Sequence, residues 1–142
     1  MGGAEDEVRV HPVGVFEQPA DSDDEARPPL LHLRDDMGRE IHLPIGSCEG
    51  LAIQWVLLGR HVPRPLTHDL ALQLLARLSG SLERVVIDTY SEEEGCRATL
   101  EISSPRGRQS LGARAGDGVA LALRAELPIY VTEEVFLRAG GA

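Results

Sequence analysis

The segment Leu82-Glu83-Arg84-Val85-Val86-Ile87-Asp88-Thr89-Tyr90 decides the fold class of this chain. Its apolar centre, Val85-Val86-Ile87, predicts a strand, and Glu92-Glu93-Glu94-Gly95 predicts a solvated turn immediately after it. Residues 96–102 then alternate apolar and polar side chains, which favours antiparallel pairing with the preceding strand, and residues 108–111 add a short third strand. This meander interrupts the regular strand and helix alternation of a parallel α/β sheet, so the sequence predicts an α+β fold.

The first third of the chain also carries strand patterns. Valines alternate over residues 8–15, but Pro12 interrupts them, which places that strand at a sheet edge or at a bulge. Residues 30–34 and 39–45 alternate around Asp35-Asp36-Met37-Gly38 and predict a hairpin. The polar face of this hairpin carries two histidines, which we expect to be solvated rather than metal-bound because no third ligand has a suitable spacing: His32 and His42.

Capping residues and helix stop signals predict four helices. The first is apolar on nearly every side, so it is either central or part of a subunit interface. A short buried strand, Ile129-Tyr130-Val131, precedes the last helix. The predicted spans are Ser47 to Gly59, Thr67 to about Ser79-Gly80, Gly116 to the residues before Pro128, and Thr132 to Gly140.

The negative charge of the chain is concentrated near its beginning. The 142 residues carry a net charge of −9, and residues 1–26 hold eight acids against one arginine. The sequence therefore predicts an acidic tail over residues 1–7, one domain over residues 8–140 and a flexible acidic loop over residues 21–29. All 14 basic residues are arginines, yet no basic stripe with interleaved aromatic residues indicates nucleic-acid binding directly.

Composition also favours a cytoplasmic protein without membrane contact. No apolar run is long enough to span a bilayer, and the acidic first residues do not resemble a signal peptide. Cys48 and Cys96 are far apart in the sequence, and their spacing indicates two reduced thiols rather than a disulfide framework or a metal site.

One motif combines a guanidinium, an imidazole and a carboxylate at the start of the second helix: Arg64-Pro65-Leu66-Thr67-His68-Asp69. Thr67 is predicted to be the N-cap, which places His68 and Asp69 in the first turn, near unpaired backbone N–H groups. An anion such as phosphate could bind there with Arg64 as a bidentate partner. The alternative is structural, because an acid in a first turn is favoured by the helix dipole alone.

Five segments, taken in their order and spacing, identify a family resemblance: Leu43-Pro44-Ile45 leading to Glu49, Arg64 to Asp69, Val85-Val86-Ile87, Ala120-Leu121-Ala122-Leu123-Arg124, and Pro128-Ile129-Tyr130-Val131. Together they resemble the bifunctional nuclease family, formerly domain of unknown function 151, over roughly residues 8–140. The resemblance implies a single α+β domain with a mixed, largely antiparallel sheet, about four packed helices and a homodimer. It also implies cleavage of RNA and of single-stranded or duplex DNA.

The same resemblance suggests a phosphodiester hydrolase site at three helix starts. If these starts converge, their acids could hold a divalent metal such as Mg²⁺, with Asp69 and Asp117 as the metal ligands. His68 would then act as general base or acid, and Arg64, Arg114 and Thr67 would bind the substrate. The four residues of the predicted catalytic set are Glu49, His68, Asp69 and Asp117.

A second interpretation remains open. The chain could be a non-catalytic dimeric binding or regulatory module whose Arg64 to Asp69 segment holds a small anion. A shared cleft holding Asp69, His68, Arg64 and Asp117 would favour catalysis, whereas mutual burial of these side chains as saturated ion pairs would favour the module.

Overall fold

The computed structural model describes residues 6–19, 27–60 and 66–140. These residues form one compact α+β domain, with four helices and a seven-stranded mixed sheet, as predicted. The elements in chain order are β1 (Glu7–Phe16), β2 (Leu30–Asp35), β3 (Glu40–Pro44), α1 (Ser47–Leu57), α2 (Thr67–Arg77), β4 (Ser81–Ser91), β5 (Gly95–Ser104), β6 (Gly107–Arg114), α3 (Ala115–Ala125), β7 (Ile129–Thr132) and α4 (Glu133–Arg138).

The sheet consists of two antiparallel meanders joined by one short strand. The strand order is β3-β2-β1-β7-β4-β5-β6, and β7 lies between the two meanders. It pairs antiparallel with β1 and parallel with β4, where Val85 is opposite Ile129. The meander of β4, β5 and β6 that residues 82–111 predicted is therefore present.

Helix α3 packs closely on the sheet because Gly118 has no side chain. A β-carbon at Gly118 would lie 3.0 Å from Cγ1 of Val85 and 3.2 Å from Cβ of Ala98. The other side of α3 contacts α1 and α2, so α3 is the central helix of the layer. The largest fully buried side chains come from the sheet, α1, α3 and α4, and include Leu31, Leu33, Ile41, Leu43, Ile53, Ile87, Val119, Val131, Val135 and Phe136.

Strand β1 contains the bulge that Pro12 predicted, but it is not an edge strand. The pairing of β1 with β2 shifts register between Pro12 and Gly14. The edge alternative is wrong because β1 is bounded by β2 and β7. The bulge accommodates a residue that lacks a backbone donor inside the sheet.

The predicted hairpin is present, but His32 is not solvated. His32 and His42 are opposite each other on β2 and β3, with ring centroids 4.4 Å apart. His42 is exposed, whereas His32 is buried beside Phe16 and hydrogen-bonded to Glu40. Alternation correctly placed both rings on one face, but it could not reveal that neighbouring side chains cover one of them.

Two predicted N-caps are displaced by one residue. The N-cap of α2 is Leu66, not Thr67, and the Leu66 N–H donates to Oδ2 of Asp69 at 3.0 Å. The N-cap of α1 is Gly46 rather than Ser47. Asp69 at N3 therefore accepts the N–H of the N-cap residue, whereas α2 has no side-chain cap of the kind that Thr67 was expected to provide for the N–H groups of the first turn.

The remaining helix boundaries agree with the sequence signals. Thr132 caps α4 by accepting a hydrogen bond from the N–H of Val135, and Gly59 and Gly140 adopt positive φ after α1 and α4. The proposed acidic tail overlaps β1 at Glu7. Residues 1–5 and 20–26, which include most of the predicted tail and acidic loop, lie outside the described residues. None of the described helices is long and apolar enough to cross a membrane.

Candidate functional site

The first turn of α3 contacts two groups of predicted site residues, one on each side. Arg114 is the N-cap of this helix, and Gly116 and Asp117 lie in its first turn. Gly116 adjoins Glu49 of α1, whereas Asp117 is hydrogen-bonded to His68 of α2. The starts of α1 and α2 are therefore both connected to the start of α3.

On the α2 side, the motif residues form two ion pairs. Nε2 of His68 lies 2.8 Å from Oδ1 of Asp117, and Oδ1 of Asp69 lies 3.1 Å from Nε of Arg124. Oδ2 of Asp69 accepts the Leu66 N–H, so both oxygens of Asp69 have partners. These contacts fix the start of α2 against α3.

Arg124 is the buried centre of this helix layer. Its side chain is 7 % exposed, and its guanidinium donates to Asp69, to the carbonyl of Ala120 and to the carbonyl of Ala52. Because these acceptors belong to α2, α3 and α1, one side chain crosslinks three helices. The planar fork of arginine provides donors in several directions, which a lysine would not reproduce.

On the α1 side, Glu49 is buried between two glycines. A β-carbon on Gly46 or on Gly116 would overlap the Glu49 carboxylate, and one on Gly116 would also lie 2.7 Å from Cβ of Glu49. Both glycines are therefore required by the close approach of this carboxylate to the starts of α1 and α3. The positive ends of the two helix dipoles favour a negative charge at this position.

Glu49 forms part of the wall of an open cleft of about 710 Å³. We call it the Glu49 cleft; it is lined by Pro28, Pro44, Ile45, Gly46, Glu49, Glu92, Glu94, Gly95, Cys96, Arg97, Ala113, Arg114 and Gly116. Oε2 of Glu49 lies 3.5 Å from Nη1 of Arg114, and the two side chains are 8 % and 78 % exposed. The cleft thus combines a buried carboxylate with an accessible guanidinium.

Cys96 is the thiol in this cleft. Burial raises the pKa of Cys96 to about 12, so the group is protonated near neutral pH. Neither Cys48 nor Cys96 forms a disulfide, and Cys48 is exposed on α1. A protonated, buried thiol is a poor nucleophile, so Cys96 contributes to the wall rather than to chemistry.

The structure separates the predicted residues into two sets. Glu49 and Arg114 share the Glu49 cleft, while His68, Asp69 and Asp117 form ion pairs outside its lining. Thr67 is exposed on the first turn of α2, and Arg64 lies outside the described residues.

Asp69 and Asp117 do not form the metal site that their helix positions suggested. Asp69 is engaged by Arg124 and by the Leu66 N–H, and Asp117 is engaged by His68. Across residues 6–19, 27–60 and 66–140, no group of three or more His, Cys, Asp and Glu side chains is arranged to hold a metal ion. The donor set present here does not fit Mg²⁺, which needs carboxylates that are free to face a hydrated ion.

Two arginines were not predicted as site residues. Arg124 ends the apolar segment Ala120-Leu121-Ala122-Leu123-Arg124 and lies one helical turn after Ala120. A charged residue on an apolar helix is buried only when it is paired, so this position was a usable signal for a buried ion pair. Arg97 alternates with buried Cys96 and Ala98 along β5, and this pattern predicts only that Arg97 is on the exposed face of the strand. Its place in the cleft depends on the pairing of β5 with β6 and was not readable from the sequence.

The comparisons with known proteins show the family of this chain. The model of the bifunctional nuclease domain matches residues 30–141. The chain belongs to the bifunctional nuclease domain family.

Two curated relatives come from Mycobacterium tuberculosis: uncharacterized protein MT1877 of strain CDC 1551 / Oshkosh and uncharacterized protein Rv1829 of strain ATCC 25618 / H37Rv. Each is 40% identical to this chain over 137 residues, which cover 94% of this chain and 76% of the relative.

Proposed function

We propose that this chain hydrolyses phosphodiester bonds of RNA or DNA in the Glu49 cleft. The observation that carries the proposal is the pairing of buried Glu49 with exposed Arg114 at the start of α3, in a chain of the bifunctional nuclease domain family. A carboxylate can accept a proton from water, and a guanidinium can bind the phosphate that the water attacks.

Glu49 is assigned the role of general base. It takes a proton from a water molecule, the water oxygen forms the new bond to phosphorus, and the bond from phosphorus to the leaving sugar oxygen breaks. The leaving oxygen takes its proton from solvent. Arg114 and the unpaired N–H groups at the start of α3 stabilise the charge that accumulates on the phosphate oxygens.

His68, Asp69 and Asp117 are assigned positioning roles. The His68–Asp117 and Asp69–Arg124 pairs hold α2 against α3 and therefore fix the helix start that carries Arg114 and Gly116. Thr67, on the first turn of α2, and Arg64, which lies outside the described residues, remain proposed substrate contacts. No step passes through a metal ion, because Asp69 and Asp117 are already paired.

The decisive experiment measures cleavage of fluorogenic RNA and single-stranded DNA by purified protein, with and without a chelator. Glu49→Gln removes the base while keeping the size of the side chain, and we expect kcat to fall by about a hundredfold or more. The matched control is Glu134→Gln, an exposed acid on α4 that pairs with Arg138 and does not line the cleft.

Three outcomes bear on the proposal. Loss of cleavage in Glu49→Gln with normal activity in Glu134→Gln supports it. A folded Glu49→Gln protein that cleaves like the parent refutes the role of Glu49. Cleavage that disappears with chelator would instead support a metal ion, contrary to the donor set at Asp69 and Asp117.

Two observations favour the second candidate function, a non-catalytic homodimeric module: the ion pairs of His68, Asp69 and Asp117 outside the cleft, and an exposed apolar stripe. Leu70 and Leu74 on α2 and its C-cap residue Leu78 are exposed at intervals of four residues. Leu51 and the C-cap residue Leu58 are likewise exposed on and after α1, the helix whose sequence is apolar on nearly every side. Helical residues spaced in this way form a continuous surface suited to a second copy of the chain.

Homodimerisation is tested by the molar mass of the parent and of Leu74→Glu in light scattering after gel filtration. Leu137→Glu on α4 is the matched control, because Leu74 and Leu137 are 57 % and 56 % exposed. We expect the parent and Leu137→Glu to be dimers and Leu74→Glu to be a monomer. A monomeric parent would rule out the dimer, and cleavage by the monomer would separate catalysis from association.

A cytoplasmic location is part of the same proposal. It is supported by the two free thiols, Cys48 and Cys96, since a reducing compartment keeps exposed cysteines unpaired. Localisation of a fluorescent fusion in the source cell tests it directly.

A further inference from the structure

Two arginines are directly opposite each other at the Glu49 cleft. Arg97 on β5 and Arg114 on β6 are cross-strand partners, and both line the cleft. Directly opposed like charges destabilise a strand pair unless an opposite charge compensates them. This pair therefore needs a negative partner.

Among residues 6–19, 27–60 and 66–140, only one of these two charges is in an ion pair. Arg114 pairs with Glu49 at 3.5 Å, whereas Arg97 is exposed and makes no ion pair or hydrogen bond with any residue that the structure describes. The Arg97 guanidinium lies over Gly112, whose missing side chain leaves room for it, with Nη2 3.5 Å from the position of a β-carbon. Its donors are consequently available to a ligand in the cleft.

The acids of the cleft restrict where an anion can bind. Glu92 and Glu94, on the turn between β4 and β5, also line the cleft and repel phosphate from their part of it. The favourable positions for phosphate are those beside Arg97 and Arg114. A cleft of about 710 Å³ lies in the size range of sites for small organic ligands, so a segment of one strand fits it better than a whole duplex.

We propose that Arg97 and Arg114 bind two consecutive phosphates of one nucleic-acid strand, with Arg114 at the bond to be cut and Arg97 at its neighbour. The inference rests on the proposed function and names its substrate as a single strand with at least two phosphates. Arginine suits this role because its fork can form two hydrogen bonds with one phosphate.

The test measures binding of a short fluorescein-labelled oligouridylate by anisotropy at several salt concentrations. All proteins carry Glu49→Gln, so that the probe stays intact. On this background Arg97→Ala removes the proposed contact, Arg97→Lys keeps the charge without the fork, and Arg9→Ala is the control. Arg9 is an exposed arginine on β1 that does not line the cleft.

We expect Arg97→Ala to raise Kd about tenfold, as for loss of a charged hydrogen bond. We also expect it to reduce the slope of log K against log salt by roughly 0.7, the share of one phosphate in a single strand. Arg97→Lys should recover the slope but not the full affinity. Arg9→Ala should match the unmodified background, and an unlabelled duplex should compete less well than a single strand.

The outcomes separate this inference from the proposed function. If Arg97→Ala and Arg9→Ala have the same Kd and salt slope while the wild-type protein still cleaves RNA or DNA, Arg97 is not a phosphate ligand and the proposed function stands. If the wild-type protein neither binds nor cleaves any strand, both proposals fail. A duplex that competes better than the single strand overturns the assignment of the substrate class.

Discussion

Replacing Arg124 by methionine should destabilise the domain far more than a typical arginine substitution. Methionine has a similar length and no charge, so Asp69 loses its ion pair and the carbonyl of Ala52 loses a donor. Removing one member of a buried pair costs about 3 to 5 kcal/mol. Because the Asp69 side chain is 34 % exposed, water compensates part of this loss, and we expect about 2 to 3 kcal/mol.

The assay is urea unfolding followed by circular dichroism, together with thermal melts. For a domain of this size the expected change corresponds to a fall in Tm of about 5 to 10 °C. Arg138→Met is the matched control, because Arg138 is 59 % exposed and forms a pair with Glu134 within α4 at 3.3 Å. Its loss should change the free energy of unfolding by less than about 0.5 kcal/mol. Equal effects of Arg124→Met and Arg138→Met would refute the idea that Arg124 crosslinks the three helices.

Three further predictions concern single groups. Gly116→Ala should lower cleavage activity at least tenfold, because a β-carbon there displaces the Glu49 carboxylate. Gly14→Ala on β1 is the comparison, because a β-carbon there makes only ordinary contacts with Phe16, and equal activities would contradict the role of Gly116. Burial alone would raise the pKa of Asp35, but hydrogen bonds and charge from Arg39 lower it below 3.8, so the unfolded chain binds the proton more readily. The stabilisation that the Asp35 carboxylate provides is thus present above about pH 4 and is lost as the pH falls through its folded pKa. Asp35→Asn should therefore flatten the fall in the free energy of unfolding between about pH 5 and pH 3. An unchanged slope would contradict the lowered pKa of Asp35. At about pH 8 a thiol reagent should modify exposed Cys48 but not Cys96, whose pKa burial raises to about 12. Both thiols should react in denaturant. Reaction of both thiols in the folded protein would contradict the burial of Cys96.

The local pattern of the chain was sufficient to predict most elements and the fold class. Each strand pair with a short turn was readable because alternation and turn residues act over a few neighbours, as in the hairpin around Gly38, which has a φ of +86°. Thr132 and Gly140 likewise marked the ends of α4 through contacts within one helical turn. These signals do not depend on distant parts of the chain.

The grouping of site residues was not readable because it depends on distant pairing. Glu49, Asp69 and Asp117 look alike in the sequence, each an acid in a first turn. The fold gives them different neighbours: Glu49 faces two glycines and a cleft, Asp69 a buried arginine, and Asp117 a histidine. Helix starts predicted their local dipole environment, whereas their partners lie far away in the sequence, 49 positions away for Asp117 and 55 for Asp69.

The position of β7 has a consequence for how the chain reaches this structure. The first three strands can pair among themselves, as can β4, β5 and β6, since both meanders are local in sequence. The seam between them is filled by residues 129–132, which follow both meanders along the chain. A growing chain would thus carry two partial sheets with unpaired edges until residues 129–132 emerge, and a product truncated before Ile129 would be prone to aggregation rather than a smaller working domain.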